Sequence, residues 1–130
     1  MLNENHLTGL PESVANLQSL KRLDLRHNKL EGDLPCVVYQ LTAMIQLFLN
    51  YNRITEIHPA VANLSNLVNL DLSQNKLSRL PQEIGELKQL SSLNVSHNNI
   101  SKVPDMLSNC TQLTILDLSH NQLRSGSETY

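Results

Sequence analysis

The chain has 130 residues, of which 40% are apolar and only 3% aromatic, and its net charge is −2. Each half carries five Lys or Arg against six Asp or Glu, so no overall field favours nucleic acid as a partner. No stretch approaches the roughly 18 continuous apolar residues of a membrane span, and the first residues lack a signal-peptide pattern. We therefore expect one soluble domain in the cytoplasm or the nucleus.

Six asparagines recur at intervals of 23 or 24 residues: Asn5, Asn28, Asn52, Asn75, Asn98 and Asn121. Aliphatic residues frame them at matching offsets, as in the L-x-x-L-x-L-x-x-N-x-L-x-x-L-P unit from Leu67 to Pro81. This period and framework are typical of leucine-rich repeats. The pattern predicts an α/β solenoid with a curved, parallel concave sheet and short helical or irregular convex segments.

The repeats number about five and a half and cover residues 1–123, and residues 124–130 form a polar tail. Neither end carries the polar cap that repeat arrays need. We therefore expect the chain to be an internal piece of a longer solenoid, or a truncated product, with uncapped ends.

Each repeat contains an L-x-L alternation, which predicts a short strand with its leucines inward and the intervening residues outward. The asparagine that follows stands where the chain turns back over the core. Its amide can both donate to and accept from main-chain groups that water does not reach. We interpret all six asparagines as a structural ladder and not as binding residues.

Two repeats depart from the regular length or turn. One is a single residue longer and contains Gly32-Asp33, which is typical of a tight turn, and the next has Pro59 one place late, after His58. We expect both departures to be neutral loop variation. Of the two cysteines, Cys110 occupies a framework position and is expected to be buried, whereas Cys36 leads onto the convex side.

The outward positions of the strands grade from basic and aromatic to neutral and polar along the chain. Phe48 is the only phenylalanine, and the alternation places it outward, beside Tyr51 and next to a strand with two arginines. Aromatic residues with arginine are the usual composition of an interface hot spot, although an outward Phe can also simply pack over its neighbours. The candidate protein-binding residues are Arg22, Asp24, Arg26, His27, Phe48, Tyr51, Arg53 and Asp71.

The sequence shows no motif that is typical of a catalytic site. No nucleophile has a base and an orienting group at recognisable spacing, and no glycine-rich phosphate loop is present. His97 and His120 share a column on adjacent strands, but no cysteine or carboxylate completes a metal shell beside them. We expect a non-enzymatic protein without a cofactor or a metal.

Several segments resemble the leucine-rich-repeat Ras-binding scaffolds of the Shoc-two (Sur-eight) type. They are Leu23-Asp24-Leu25-Arg26-His27-Asn28-Lys29-Leu30, Tyr51-Asn52-Arg53-Ile54-Thr55, Leu80-Pro81-Gln82-Glu83-Ile84-Gly85-Glu86-Leu87 and Asn109-Cys110-Thr111-Gln112. The resemblance implies a scaffold whose concave face holds an active Ras-type GTPase together with the catalytic subunit of protein phosphatase one, in Raf and MAP kinase signalling. It implies a cytoplasmic protein.

Two alternatives stay open. Four Asn-x-Ser/Thr sequons, at Asn63, Asn94, Asn99 and Asn109, are compatible with an extracellular or host-recognition module that binds foreign ligands. The other alternative is a truncated isoform without function.

Overall fold

The structure is a computed structural model that describes residues 8–123. In chain order its strands are β1 (Arg22–Asp24), β2 (Glu31–Gly32), β3 (Gln46–Phe48), β4 (Arg53–Ile54), β5 (Asn69–Asp71), β6 (Ser92–Asn94) and β7 (Ile115–Asp117). Five of them form one parallel sheet in the order β1-β3-β5-β6-β7, and β2 pairs with β4 in a small second sheet. The predicted leucine-rich-repeat solenoid is confirmed.

The register of the large sheet follows the repeat period. The central leucine of each strand lies beside its counterpart in the next, so one row contains Leu23, Leu47, Leu70, Leu93 and Leu116. The first four of these leucines are almost completely buried, because each repeat covers the apolar face of its neighbour. Side chains of the residues on either side of this row therefore lie on the opposite, concave face.

The side of the solenoid opposite the sheet is formed by single turns of 3₁₀ helix. They are η1 (Glu12–Asn16), η2 (Cys36–Gln40), η3 (Pro59–Asn63), η4 (Gln82–Glu86) and η5 (Asp105–Asn109). Proline precedes or begins every one of them, because its fixed φ suits the first turn and it needs no main-chain donor. Cys110 follows η5 and is buried as predicted, and burial raises the pKa of its thiol. Cys36 is exposed, and both thiols are free.

The structure places the asparagines that it describes inward, in a ladder. The Asn75 amide nitrogen donates to the carbonyls of Leu49 and Leu72 at 3.0 Å, and its oxygen accepts from the Ile54 N–H at 3.0 Å. Asn98 repeats these bonds one layer on, between Leu72, Val95 and Leu77. Asn52 and Asn121 also bond to two repeats each, and the Asn28 amide nitrogen donates to the carbonyl of Leu25. Asn5 lies outside the described residues.

The residue before each ladder asparagine adopts the left-handed backbone conformation. These residues have φ between 54° and 61°, and they are His27, Tyr51, Gln74, His97 and His120. None is glycine, so each turn carries a side chain in a region that such residues seldom occupy. The left-handed turn reverses the chain and lets the next asparagine enter the core, while the residue before it projects at the rim of the sheet.

The two irregular repeats are joined by a polar cluster, which the expectation of neutral loop variation did not include. Gly32 takes a positive φ of 71°, and the extra Asp33 follows it. Its carboxylate accepts from the Tyr39 hydroxyl at 2.7 Å and from the Leu34 N–H at 2.7 Å. The Tyr39 oxygen in turn accepts from the His58 N–H at 3.0 Å. The inserted turn and the displaced proline therefore share one network.

Among residues 8–123, no helix has the length and apolar character needed to cross a membrane. The carboxyl-terminal strand leaves apolar surface open, since Ile115 is 61% exposed. The proposed tail, residues 124–130, lies outside the described residues.

Candidate protein-binding face

The predicted arginines and phenylalanine lie together on the concave face. The Arg22 guanidinium carbon lies 5.1 Å from the centre of the Phe48 ring, and that of Arg26 lies at 5.8 Å. The register of β1 and β3 causes this arrangement, because Asp24 and Phe48 are direct neighbours and both arginines flank Asp24 on the same side of the strand. Phe48 is half-buried, and the attraction between the cations and the ring holds both guanidinium groups near it.

At the rim beside them, the rings of His27 and Tyr51 stack. Their centroids are 4.4 Å apart with an angle of 12° between the planes, and Tyr51 is 47% exposed. Both residues occupy the left-handed position before a ladder asparagine, which explains why they meet across adjacent repeats. We call Arg22, Arg26, His27, Phe48 and Tyr51 the basic–aromatic patch.

The prediction that Asp24 is freely exposed on the concave face is wrong. It is only 3% exposed, because the Arg26 guanidinium lies on its carboxylate with a shortest N–O distance of 2.6 Å. The guanidinium donates two hydrogen bonds to this carboxylate, and the main-chain N–H of Arg26 donates a third at 3.1 Å. These hydrogen bonds from Arg26 lower the pKa of Asp24. Asp24 is thus placed to orient Arg26 and not to contact a partner directly.

The two remaining candidates lie at the border of the patch. Arg53 is exposed on β4, in the small sheet, and lines a surface cavity of 390 Å³ together with His27 and Tyr51. Asp71 lies opposite Phe48 in the register and is half-buried. Its Oδ1 accepts from both the N–H and the hydroxyl of Ser73, at 2.9 and 2.7 Å. Ser73, which the alternation predicts to be outward, is therefore buried and bonded.

Asn50 is a residue of this face that the sequence-based selection missed. Its side-chain Oδ1 is buried and has no hydrogen-bond partner among the residues that the structure describes. A signal for it exists in the sequence, because Phe48 replaces the Asp or Asn that every other strand of the large sheet carries at that place.

Stacked histidines and hydrogen-bonded carboxylates line the rest of the concave surface in residues 8–123. His97 and His120 stack with their centroids 4.0 Å apart, and the bonds from Ser119 lower the pKa of the neighbouring Asp117. Within the described part of the chain, no group of three or more His, Cys, Asp or Glu residues is arranged to hold a metal ion. What the face presents is exposed aromatic and cationic surface on a rigid sheet, which can bind another protein.

Comparison with known proteins agrees with this architecture. The family model described as leucine rich repeat matches residues 1–54, 46–100 and 65–123. The chain belongs to the leucine-rich-repeat family. Such folds typically serve as non-enzymatic modules that bind proteins, and this leucine-rich-repeat chain has their parallel sheet and asparagine ladder.

Solved structures and curated proteins resemble the leucine-rich-repeat chain over different lengths. A leucine-rich-repeat protein of Leptospira interrogans is 36% identical with a TM-score of 0.89, over 95% of this chain and 31% of that one. An internalin of Listeria monocytogenes is 28% identical with a TM-score of 0.72, over 92% of this chain and 40% of that one.

Two Arabidopsis thaliana proteins match shorter parts. Receptor-like protein 18 is 37% identical over 59 residues, which are 45% of this chain and 7% of the relative. A disease resistance protein is 45% identical over 53 residues, which are 40% of this chain and 6% of the relative. The leucine-rich-repeat chain thus spans a small part of these relatives and less than half of the two solved chains.

Proposed function

We propose that this chain is the partner-binding part of a non-enzymatic scaffold, and that the basic–aromatic patch holds an acidic protein surface. The observation that carries the proposal is the pair of guanidinium groups over Phe48 beside the exposed His27–Tyr51 stack. The Arg22 guanidinium, stacked on the ring, can donate at its edge to carboxylates, and the rings exclude water around the contact.

The partner that we propose is an active Ras-type GTPase, held together with the catalytic subunit of protein phosphatase one to promote Raf signalling in the cytoplasm. Support comes from the resemblance of the quoted segments to Shoc-two type scaffolds. Two of these segments contribute Arg26, His27 and Tyr51 to the patch. The patch also has the charge that an acidic effector surface requires.

The test measures capture of a GTPase, loaded with a non-hydrolysable GTP analogue or with GDP, by the immobilised chain. Arg22→Glu is the informative change, because Arg22 forms no ion pair within residues 8–123 and its loss leaves Asp24 and Arg26 intact. We expect the GTP form alone to bind and Arg22→Glu to weaken it at least about tenfold, or about 1.4 kcal/mol.

Arg79→Glu is the matched control, since Arg79 is exposed in the connection that leads to η4, away from the large sheet. It should bind like the wild type while circular dichroism is unchanged in both variants. Equal binding by the Arg22 variant and the wild type would reject the patch as the site. Absence of GTPase capture by the wild type would reject this partner.

A second candidate function is recognition of foreign or extracellular ligands, as the names of the receptor-like and disease resistance relatives suggest. Three sequon asparagines, Asn63, Asn99 and Asn109, are exposed, so glycans fit there. Asn94 is half-buried, and its oxygen accepts from the Ser96 N–H at 3.0 Å. A mobility shift of native material after glycosidase treatment would favour this function over a cytoplasmic scaffold.

A further inference from the structure

Four of the five strands in the large sheet cap their own carboxyl ends in the same way. The side-chain oxygen of an Asp or Asn accepts a hydrogen bond from the main-chain N–H two residues later, at 2.9 to 3.1 Å. The acceptors are Asp24, Asp71, Asn94 and Asp117, and the donors are Arg26, Ser73, Ser96 and Ser119. These bonds lie on the concave face, where strand pairing offers the N–H no acceptor.

The strand β3 lacks this cap. Phe48 stands in the register between Asp24 and Asp71 and has no acceptor to offer. The Asn50 N–H, which corresponds to the four capped donors, finds no acceptor within the described residues. The Asn50 Oδ1 is buried without a partner as well. The Asn50 N–H can therefore take an acceptor from outside, whereas its Oδ1, being itself an acceptor, would need a donor.

The Arg22 guanidinium near Asn50 favours an acceptor from outside. Arg22 lies over Phe48 without an ion pair in residues 8–123, so its guanidinium donors are available. Arg26 neutralises Asp24. Asp71, on the other side, already accepts two bonds from Ser73 through Oδ1. Exposed Arg53, which lines a surface cavity with Tyr51, adds positive charge on the same side.

We infer that one carboxylate of the bound protein caps the Asn50 N–H and pairs with Arg22, in the place where the other strands carry their own Asp or Asn. This inference rests on the proposed function for the location of the partner and adds the chemistry of one contact. Asn50 thereby acts as a specificity residue, because its N–H favours binding of a partner that presents an Asp or Glu side chain over Phe48.

The free chain provides the first test. In amide hydrogen exchange measured by NMR, the Asn50 N–H should exchange about tenfold faster or more than those of Ser73 and Ser96, which are capped. Phe48→Asn should supply the missing cap, as Asn94 does between Asp71 and Asp117, and should slow the exchange of Asn50. Phe48→Leu removes the ring without adding an acceptor and should leave the exchange fast. Slow exchange of Asn50 in the wild type would overturn the inference.

The second test uses two small probes of equal shape, N-acetylaspartate amide and N-acetylasparagine amide. Titration with the charged probe should shift the Asn50 N–H resonance downfield, and the uncharged probe should shift it less. The response should be lost in Phe48→Asn, because its own side chain occupies the position, and should be weaker in Arg22→Glu. Equal shifts with both probes would overturn the assignment of a carboxylate, and no shift with either would overturn the site.

These measurements separate the inference from the proposed partner. A specific response of Asn50 to the charged probe without capture of the GTPase would retain the carboxylate site and reject the GTPase. Capture of the GTPase that leaves the Asn50 N–H resonance and its exchange rate unchanged would retain the proposed function and reject the role of Asn50.

Discussion

The hydroxyl of Tyr39 receives a hydrogen bond from the main-chain N–H of His58, at 3.0 Å, across two consecutive repeats. The same hydroxyl donates to Asp33, whose carboxylate also lies 3.3 Å from the His58 N–H. Tyr39 is buried, and burial together with the Asp33 carboxylate raises its pKa well above the usual range. The ring therefore stays neutral and holds the inserted turn against the next repeat.

Removal of this hydroxyl should destabilise the fold. In Tyr39→Phe, Asp33 loses a donor and the His58 N–H loses its better acceptor, so we expect a loss of about 1–3 kcal/mol in the free energy of unfolding. Urea denaturation followed by circular dichroism measures it. Tyr51→Phe is the matched control, because the exposed Tyr51 hydroxyl has no hydrogen-bond partner within residues 8–123. If the two variants unfold at the same urea concentration, the cluster does not hold the repeats together.

The asparagine ladder should show an effect of similar size. Asn75→Ala leaves the Ile54 N–H without its acceptor inside the core, while the carbonyls of Leu49 and Leu72 lose one donor and keep another, from Asn52 and Asn98. We expect a loss of roughly 1–3 kcal/mol in the free energy of unfolding, mainly from the unpaired Ile54 N–H. Asn99→Ala removes an exposed amide without a side-chain hydrogen bond and should cost little. Equal melting temperatures for both variants would contradict the structural role of the ladder.

The repeat period alone predicts the sheet, its register and the ladder, because every repeat places Leu and Asn at the same offsets and parallel pairing brings equal offsets together. The meeting of Phe48 with the two arginines follows from the same rule. The pairing of Asp24 with Arg26 is harder to foresee, since alternation shows only that both face one side and not that one covers the other.

The repeat pattern does not predict contacts between residues that stand at different offsets in their repeats. Asp33 and His58 are 25 residues apart at different offsets, and an inserted residue moves Asp33 out of the repeat register. For Asn50, the sequence shows that Phe48 replaces an Asp or Asn, but it does not show that this Asp or Asn caps a main-chain N–H in the other strands.

Packing between the 3₁₀ turns leads to a third prediction. A Cβ atom placed on Gly85 in η4 would collide with the main-chain carbonyl of Met106 in η5. Because the obstacle is backbone, Gly85→Ala must push the two repeats apart, and we expect a cost of about 1–3 kcal/mol. Gly9→Ala is the control, since nothing lies within 4 Å of its added Cβ. If Gly85→Ala and the wild type have the same melting temperature, η4 and η5 are not in close contact.

The last prediction concerns acid. Because Arg26 lowers the pKa of Asp24 below its ordinary 3.8, the charged carboxylate stabilises the fold fully at pH values above the ordinary pKa. That contribution is lost as the pH falls through the lowered pKa of the folded chain, where Asp24 takes up a proton. Asp24→Asn keeps an acceptor for the Arg26 N–H but has no charge, so it removes this pH dependence.

We therefore expect Asp24→Asn to be less stable than the wild type at pH 7, by about 1 kcal/mol, since the Arg26 side chain is 41% exposed and solvent weakens the pair. The difference should shrink as the pH is lowered from about 4 toward 2. Urea denaturation at a series of pH values measures it, with Glu86→Gln as an exposed control. Arg26→Glu should be more damaging than Asp24→Asn at pH 7, because it sets two carboxylates side by side and uncovers Asp24. A constant difference between Asp24→Asn and the wild type at every pH would show that the charge of the Asp24–Arg26 pair does not stabilise the solenoid.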